Sequence, residues 1–63
     1  MSLKEVRESR GLSQSQLADR AGVSVRTIQN YEQGHKDINR AAALIVLKLA
    51  EALGCNVRDI LNI

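Results

Sequence analysis

Residues 25–33 carry side chains that hydrogen-bond readily to the edges of DNA bases. If this segment is helical, Ile28 and Tyr31 face inward. The outward face then presents Val25, Arg26, Gln29, Asn30 and Gln33. Arginine reads guanine through O6 and N7, asparagine and glutamine read adenine through N6 and N7, and an apolar side chain can contact the thymine methyl. An ordinary solvated helix face would have a similar composition, but the pattern predicts base reading by Val25, Arg26, Gln29 and Asn30.

Polar and basic residues near this segment are candidates for contact with the phosphate backbone, which fixes the register of a protein on DNA without reading sequence. They are Ser13, Gln14, Ser24, Gln33, His35, Lys36 and Arg40. Gln14 opens a predicted helix whose positive N-terminal end attracts phosphate. Helix capping explains Ser13 equally well, and a basic loop is often only solvated. His35 has no second ligand within reach in the sequence, so we expect a loop side chain and no metal site.

Helix-start and helix-stop signals divide the chain into helical segments. Ser2 with Glu5 and Ser13 with Gln16 have the spacing of a capping box, in which side chains bond the free backbone N–H groups of a helix start. The remaining starts have candidate caps at Ser24, Asn39 and Asn56. Glycines stand where the helices should stop, at Gly11, Gly22, Gly34 and Gly54. These signals predict a compact all-α bundle of five helices, near 3–10, 14–21, 25–33, 40–53 and 57–62.

Apolar residues at helical spacing define the expected core. They are Leu3, Val6, Leu12, Leu17, Ala18, Ala21, Val23, Ile28, Tyr31, Ala43, Val46, Leu47, Leu49, Ala50, Leu53, Val57, Ile60 and Leu61. In helix 4, Leu44 projects on the same side as Lys48 and Glu51, and Ile45 borders it. We interpret Leu44 and Ile45 as a surface for a partner, with partial coverage by the preceding loop as the alternative.

Length and composition exclude several classes of protein. A chain of 63 residues holds one domain, 1–63, with marginal stability. One cysteine and one histidine exclude a disulfide scaffold and a zinc finger. The longest apolar run, 41–47, is far short of the roughly 20 residues of a membrane span, so we expect a cytoplasmic protein. The net charge of +2 permits nucleic acid as a partner, but the lack of Phe and Trp disfavours single strands.

Enzymatic activity is not expected. The chain has no paired Ser/His/Asp or Cys/His arrangement, no glycine-rich phosphate loop and no metal cluster, and nothing in it implies a cofactor or a small-molecule substrate. Cys55 lies near a predicted helix start, which can lower the pKa of a thiol. A small apolar filler between helices 4 and 5 is the simpler interpretation of Cys55.

Residues 14–33 have the layout of a helix-turn-helix, a motif whose second helix lies in the DNA major groove. Ala18 lets the two helices cross closely, and Gly22 can adopt the tight turn between them. Val23 fills the space beneath the turn, and Ile28 anchors the second helix to the first. This placement strengthens the prediction that the polar face of residues 25–33 reads bases.

Several segments, in this order and spacing, resemble the lambda-repressor-like family, also called the Cro/cI or xenobiotic-response-element type. They are Leu12-Ser-Gln-Ser-Gln-Leu-Ala18, Ala21-Gly-Val-Ser24, Thr27-Ile28, Tyr31-Glu-Gln-Gly34 and Leu47-Lys-Leu-Ala-Glu-Ala-Leu-Gly54. The resemblance implies a five-helix fold and a transcriptional regulator, by family expectation a repressor, that reads double-stranded DNA with helix 3. A homodimer on a pseudo-palindromic site, in the nucleoid of a bacterium or on phage DNA, is the corresponding expectation.

The resemblance also implies roles for individual residues. The family often joins an arginine of helix 1 to a glutamate of helix 3, which predicts a salt bridge between Arg7 and Glu32, with two independent surface charges as the alternative. Ser24 matches a position where family members often contact the groove as well as cap the helix. The stretch 34–54 is a few residues longer than in many members, so either the loop is longer or helix 4 gains nearly a turn at its start.

A second function would use the same bundle without the DNA groove. The apolar surface of helix 4 favours a protein-interaction module, or an antitoxin-like protein that binds a regulatory partner. Salt distinguishes the two functions, because binding through phosphates weakens steeply as salt rises whereas apolar association does not.

Overall fold

The structure, a computed structural model, describes residues 2–62. They form short helices joined by turns, with a longer connection before the fourth helix. They are α1 (Leu3–Ser9), α2 (Gln14–Ala21), α3 (Val25–Glu32), α4 (Ala43–Leu53) and α5 (Val57–Ile60), with a 3-10 turn (Ile38–Arg40) before α4. The prediction of an all-α bundle of five helices is confirmed. The ends of α1, α3 and α5 lie one or two residues before the predicted ones. No helix of residues 2–62 is long and apolar enough to cross a membrane.

Serine caps begin the first three helices, as the sequence predicts. In each case the serine Oγ accepts a hydrogen bond from the backbone N–H of the residue three positions later, which removes one unpaired donor from the helix start. The pairs are Ser2 with Glu5, Ser13 with Gln16 and Ser24 with Thr27. At α5, Asp59 accepts the backbone N–H of Asn56 at 3.0 Å. All of these contacts are local, so spacing alone reveals them.

The start of α4 differs from the prediction. Asn39 does not cap a helix: α4 begins at Ala43, after Ala41 has adopted an extended backbone (φ −67°, ψ 154°). The Asn39 amide instead pairs with the backbone of Asn62, accepting its N–H at 2.8 Å and donating to its carbonyl at 3.0 Å. Ile38, absent from the predicted core, is buried within the 3-10 turn. The extra residues of this stretch therefore lengthen the connection and do not extend helix 4.

Apolar side chains from every helix meet in one core. Helix α4 packs against α2 and α5, α1 packs against α3 and α5, and α2 packs against α3. The most deeply buried side chains are Val6, Leu17, Ile28, Leu49 and Ile60. Ala43 and Leu47, predicted to lie in the core, are exposed. Both border an open apolar groove between the 3-10 turn, α4 and α5, which no other part of residues 2–62 fills.

The turn between α2 and α3 depends on Gly22, which ends α2 in the left-handed conformation (φ 70°, ψ 34°). A Cβ added there would point into open space, so only backbone strain opposes a side chain. We expect Gly22→Ala to lower the free energy of unfolding by about 1–2 kcal/mol, and Gly22→Asn to lower it less, because asparagine tolerates this conformation. Urea unfolding followed by circular dichroism measures both values. Equal losses for the two variants would contradict strain as the cause.

Candidate nucleic-acid interface

The turn after α2 places α3 across α2 at close range. The N–H groups of Gly22 and Val23 both bond the carbonyl of Ala18, at 2.9 and 3.1 Å, so the chain reverses within a few residues. Ala18 is 4% exposed, and its small side chain lets the two helices approach. Ile28 is fully buried and anchors α3. These contacts fix which face of α3 points outward.

The outward face of α3 is polar. Arg26 and Gln33 are exposed, and Gln29 and Asn30 between them are half-buried. Positions separated by three or four residues lie on one side of a helix, so these four side chains form one continuous face. Val25 is half-buried and packs against the core, which leaves only part of it free. Within residues 2–62, the Arg26 guanidinium has no ion-pair partner.

Serine hydroxyls at the starts of α2 and α3 are engaged in capping. Ser24 Oγ accepts the backbone N–H of Thr27 at 3.2 Å and lies 2.8 Å from the hydroxyl of the same residue. Ser13 and Gln16 exchange two bonds, at 2.8 and 3.0 Å. The hydrogen bonds of Thr27 to the Ser24 hydroxyl were not predicted, although the spacing of three residues is typical of a capping contact. Capping therefore accounts for both serines.

The loop after α3 is tied to the end of that helix. The N–H of Lys36 donates to the carbonyl of Asn30 at 3.1 Å. Gln33, at the end of the polar face, is exposed, and so are His35 and Lys36, which follow it. Arg40 is exposed at the end of the 3-10 turn, farther along the connection. No group of three or more His, Cys, Asp or Glu within residues 2–62 is placed to hold a metal ion.

Arg7 and Glu32 form a bidentate salt bridge between α1 and α3. Arg7 Nε lies 2.7 Å from Glu32 Oε2, and Nη2 lies 3.0 Å from Oε1. The side chains are only 10% and 3% exposed. The remaining Arg7 nitrogen, Nη1, donates to the carbonyl of Leu12 at 2.8 Å. The pair predicted from the sequence therefore also holds the turn that leads into α2.

Gln14 joins the same network from the first residue of α2. Its Nε2 donates to Glu32 Oε1 at 2.9 Å. Sequence reasoning assigned Gln14 to a phosphate and missed this bond, because the two residues are 18 positions apart and no local pattern connects them. The carboxylate of Glu32 thus contacts side chains from both of the preceding helices.

Opposing effects set the pKa of the Glu32 carboxyl. Burial raises this pKa, but the hydrogen bonds from Arg7 and Gln14, with the positive charges of Arg7 and Lys4, outweigh burial and leave the pKa below its ordinary value. The hydrogen bond with Glu32 raises the pKa of the Arg7 guanidinium. Both groups are therefore charged at neutral pH, and the site is a true ion pair.

Arg10 makes a long-range contact that the sequence did not predict. Its Nε donates to the carbonyl of Leu53, the last residue of α4, at 2.9 Å. A cation at the C-terminal end of a helix is favourable because the helix dipole is negative there. The only sequence signal was an arginine beside a predicted helix stop, which does not identify a partner 43 residues away.

Cys55 lies half-buried between α4 and α5. Burial raises the pKa of its thiol, and the charge of Asp59 raises it further. A pKa lowered by the start of α5, one of the two interpretations of the sequence, is therefore wrong. The thiol is protonated at neutral pH and packs against the core.

Comparison with known proteins identifies the family. The family model described as Helix-turn-helix (HTH_3) matches residues 3–60. The chain belongs to the Cro/cI-type helix-turn-helix family of DNA-binding transcriptional regulators. Among solved structures, this regulator is similar to the restriction-modification controller protein C.AhdI from Aeromonas hydrophila, with 33% sequence identity and a TM-score of 0.80. The match covers 90% of this chain and 82% of that chain. A search of curated proteins gave no match.

The Arg7–Glu32 pair should dominate the acid sensitivity of the fold. Removing one partner of a buried pair strands the other charge, so we expect Arg7→Met and Glu32→Leu each to cost about 3–5 kcal/mol. Because it leaves no unpaired charge, the double variant should lose less than either single variant. Because the pKa of Glu32 is depressed in the folded state, its contribution is complete above about pH 4.3 and is lost as the pH falls through the lower folded-state value.

Urea unfolding of the wild type, both single variants and the double variant, repeated between neutral and acidic pH, measures both effects. The double variant serves as the control, because it has no pair to lose and should be less sensitive to acid over the same range. Additive losses, or equal acid sensitivity of wild type and double variant, would show that the two charges act independently.

Proposed function

We propose that this regulator recognises a specific sequence in double-stranded DNA by placing α3 in the major groove. One observation carries the proposal: the second helix of the helix-turn-helix presents a continuous polar face whose orientation is fixed by the buried Ile28. Arginine, glutamine and asparagine on such a face have the donors and acceptors that distinguish base pairs in that groove. Within residues 2–62 Arg26 has no ion-pair partner, so its guanidinium can bind DNA without breaking an internal ion pair.

The individual residues take two roles in this proposal. Val25, Arg26, Gln29 and Asn30 contact base edges, with Val25 limited to a methyl contact because it is half-buried. Phosphate or groove-edge contacts come from Ser13, Gln14, Ser24, Gln33, His35, Lys36 and Arg40. The first group decides which sequence is bound, and the second decides orientation and much of the salt dependence.

A homodimer is part of the proposal, with residues 1–63 acting as one DNA-binding unit. One short helix reads only a few base pairs, so two copies related by a two-fold axis would read an inverted repeat with half-sites about 34 Å apart. Leu44 and Leu47 lie one turn apart on α4 and are 61% and 47% exposed, which supports an apolar contact there. Ile45 is half-buried against the core and would contribute only its edge.

The regulatory direction is proposed to be repression, by obstruction of transcription at the bound site in a bacterial or phage genome. C.AhdI is described as a restriction-modification controller protein. That similarity makes the genes of a restriction-modification system the first place to look for the binding site of this regulator.

Selection of bound duplexes from a random-sequence pool, followed by sequencing, tests the proposal. At about 150 mM salt we expect an inverted repeat with half-site centres one helical turn apart. Enrichment of a single half-site would keep specific DNA binding and refute the dimer. If a folded protein enriched no sequence, DNA recognition by α3 would be wrong.

Truncation of Arg26 and truncation of Lys36 should affect DNA binding differently. Arg26→Ala is expected to weaken binding to the selected site by about 1–3 kcal/mol and to relax the preference at one base position. Lys36→Ala should weaken binding to all duplexes alike and reduce the slope of log affinity against log salt by about 0.9 for each bound copy, or about 1.8 for the dimer.

Fluorescence anisotropy with specific and scrambled duplexes over a salt series measures both effects. Arg58→Ala is the matched control, since Arg58 is an exposed cation on α5, outside the residues proposed to contact DNA. A uniform loss for Arg26→Ala would reassign Arg26 to a phosphate.

The exposed part of α4 supports a second candidate function, a module that binds a regulatory protein, as an antitoxin-like protein would. The open groove beside Leu47 is lined almost wholly by apolar side chains, including Val46, Val57 and Leu61. Binding there should persist at high salt, whereas DNA binding should not.

Leu44→Glu tests the dimer surface. An exposed carboxylate at the centre of an apolar contact would lose hydration on association, so we expect a shift from dimer to monomer. Light scattering on the free protein and on its complex with the selected duplex measures the mass. Arg20→Gln, which makes the same change of charge at an exposed position on α2, is the control. A dimer that survives Leu44→Glu would contradict this interface.

A further inference from the structure

The carboxylate of Glu32 accepts one hydrogen bond more than its ion pair requires. Arg7 occupies both oxygens, at 2.7 and 3.0 Å, which completes a bidentate pair. Oε1 accepts a further bond, at 2.9 Å, from Nε2 of Gln14. Gln14 is the first residue of α2, so the buried carboxylate binds a side chain at the start of that helix.

The chemistry of this bond fixes the orientation of the amide. An ionised carboxylate only accepts hydrogen bonds, so the NH2 group of Gln14 faces Glu32 and its carbonyl oxygen does not. One N–H of that group is bound to Glu32, and the other has no acceptor within residues 2–62. Gln14 is half-buried. Its amide is therefore held in place with one donor available.

We propose that Glu32 is a positioning residue for DNA binding, which holds the Gln14 amide so that its second N–H donates to a DNA phosphate. The inference rests on the proposed function, because it requires the start of α2 to lie against DNA. A glutamine side chain loses much rotamer freedom when it forms a contact, and one already ordered by Glu32 loses less on binding. Arg7 neutralises Glu32, so the carboxylate does not repel the phosphate.

A protein–DNA double-mutant cycle tests this role. The selected duplex is prepared with one phosphate at a time replaced by an uncharged methylphosphonate. In the wild type we expect one sensitive linkage per half-site, where the replacement weakens binding about tenfold, as expected for a hydrogen bond to a charged group. In Gln14→Ala, which removes the contact from both half-sites, the unmodified duplex should bind about a hundredfold more weakly, and the same replacement should cause little further loss.

The decisive variant is Arg7→Met/Glu32→Leu, which retains Gln14 and replaces the ion pair with apolar side chains of similar volume. We expect the sensitivity at that linkage to fall from about tenfold to about twofold or less, because the amide is no longer held. Circular dichroism establishes that the variant is folded, and Arg58→Ala serves as the control that leaves the sensitivity unchanged.

The possible results separate the inference from the proposed function. Full sensitivity at the linkage in the double variant would mean that Glu32 acts only on the fold, and the inference would be wrong while DNA binding stands. The same conclusion holds if no linkage in the wild type depends on Gln14. A wild-type protein that selects no duplex would refute the proposed function and the inference together.

A measurement on the wild type alone decides the question if the double variant does not fold. The two amide protons of Gln14 give separate NMR signals. On addition of the selected duplex we expect one signal to shift while the other keeps its nuclear Overhauser contact with the methylene protons of Glu32. Loss of that contact on binding would show that Gln14 leaves Glu32 to reach DNA, and would overturn the inference.

Discussion

The ion pair between Arg7 and Glu32 is the interaction on which the arrangement of the helix-turn-helix depends. It joins α1 to α3, and its further bonds to Gln14 and to the Leu12 carbonyl fix the beginning of α2. A buried ion pair adds little net stability, but breaking it is costly because a charge is left without a partner. In a chain of 63 residues this penalty disfavours any other packing of the three helices that meet at the pair.

Two surfaces with different chemistry result from this packing. The outward face of α3 is polar and rests on the buried Ile28, whereas α4 leaves Leu44 and Leu47 exposed, and Leu47 borders an apolar groove. Polar donors and acceptors suit base edges, and contiguous apolar area suits another protein surface. In the proposed function, this bundle binds DNA with α3 and a second copy of itself with α4, so the two contacts use different helices.

The features that could be predicted from the sequence are those set by neighbouring residues. Serine caps and the glycine at the turn depend on spacings of a few positions, so the helices and the polar face of α3 were visible in advance. Asn39 was misassigned because its partner, Asn62, is 23 residues away. The same holds for the bond from Gln14 to Glu32. Leu47 has the spacing of a core residue and is exposed only because nothing in residues 2–62 covers the groove beside it.

In the proposed function, α3 and the start of α2 form the DNA-contacting surface of this regulator. An amide NMR titration of the labelled protein with the selected duplex tests it most directly, since every backbone N–H reports on its own surroundings. We predict that the largest shifts fall at the start of α2, along α3 and in the loop after it, with small shifts in α5. Shifts concentrated on α4 and the apolar groove, with α3 unchanged, would contradict the account.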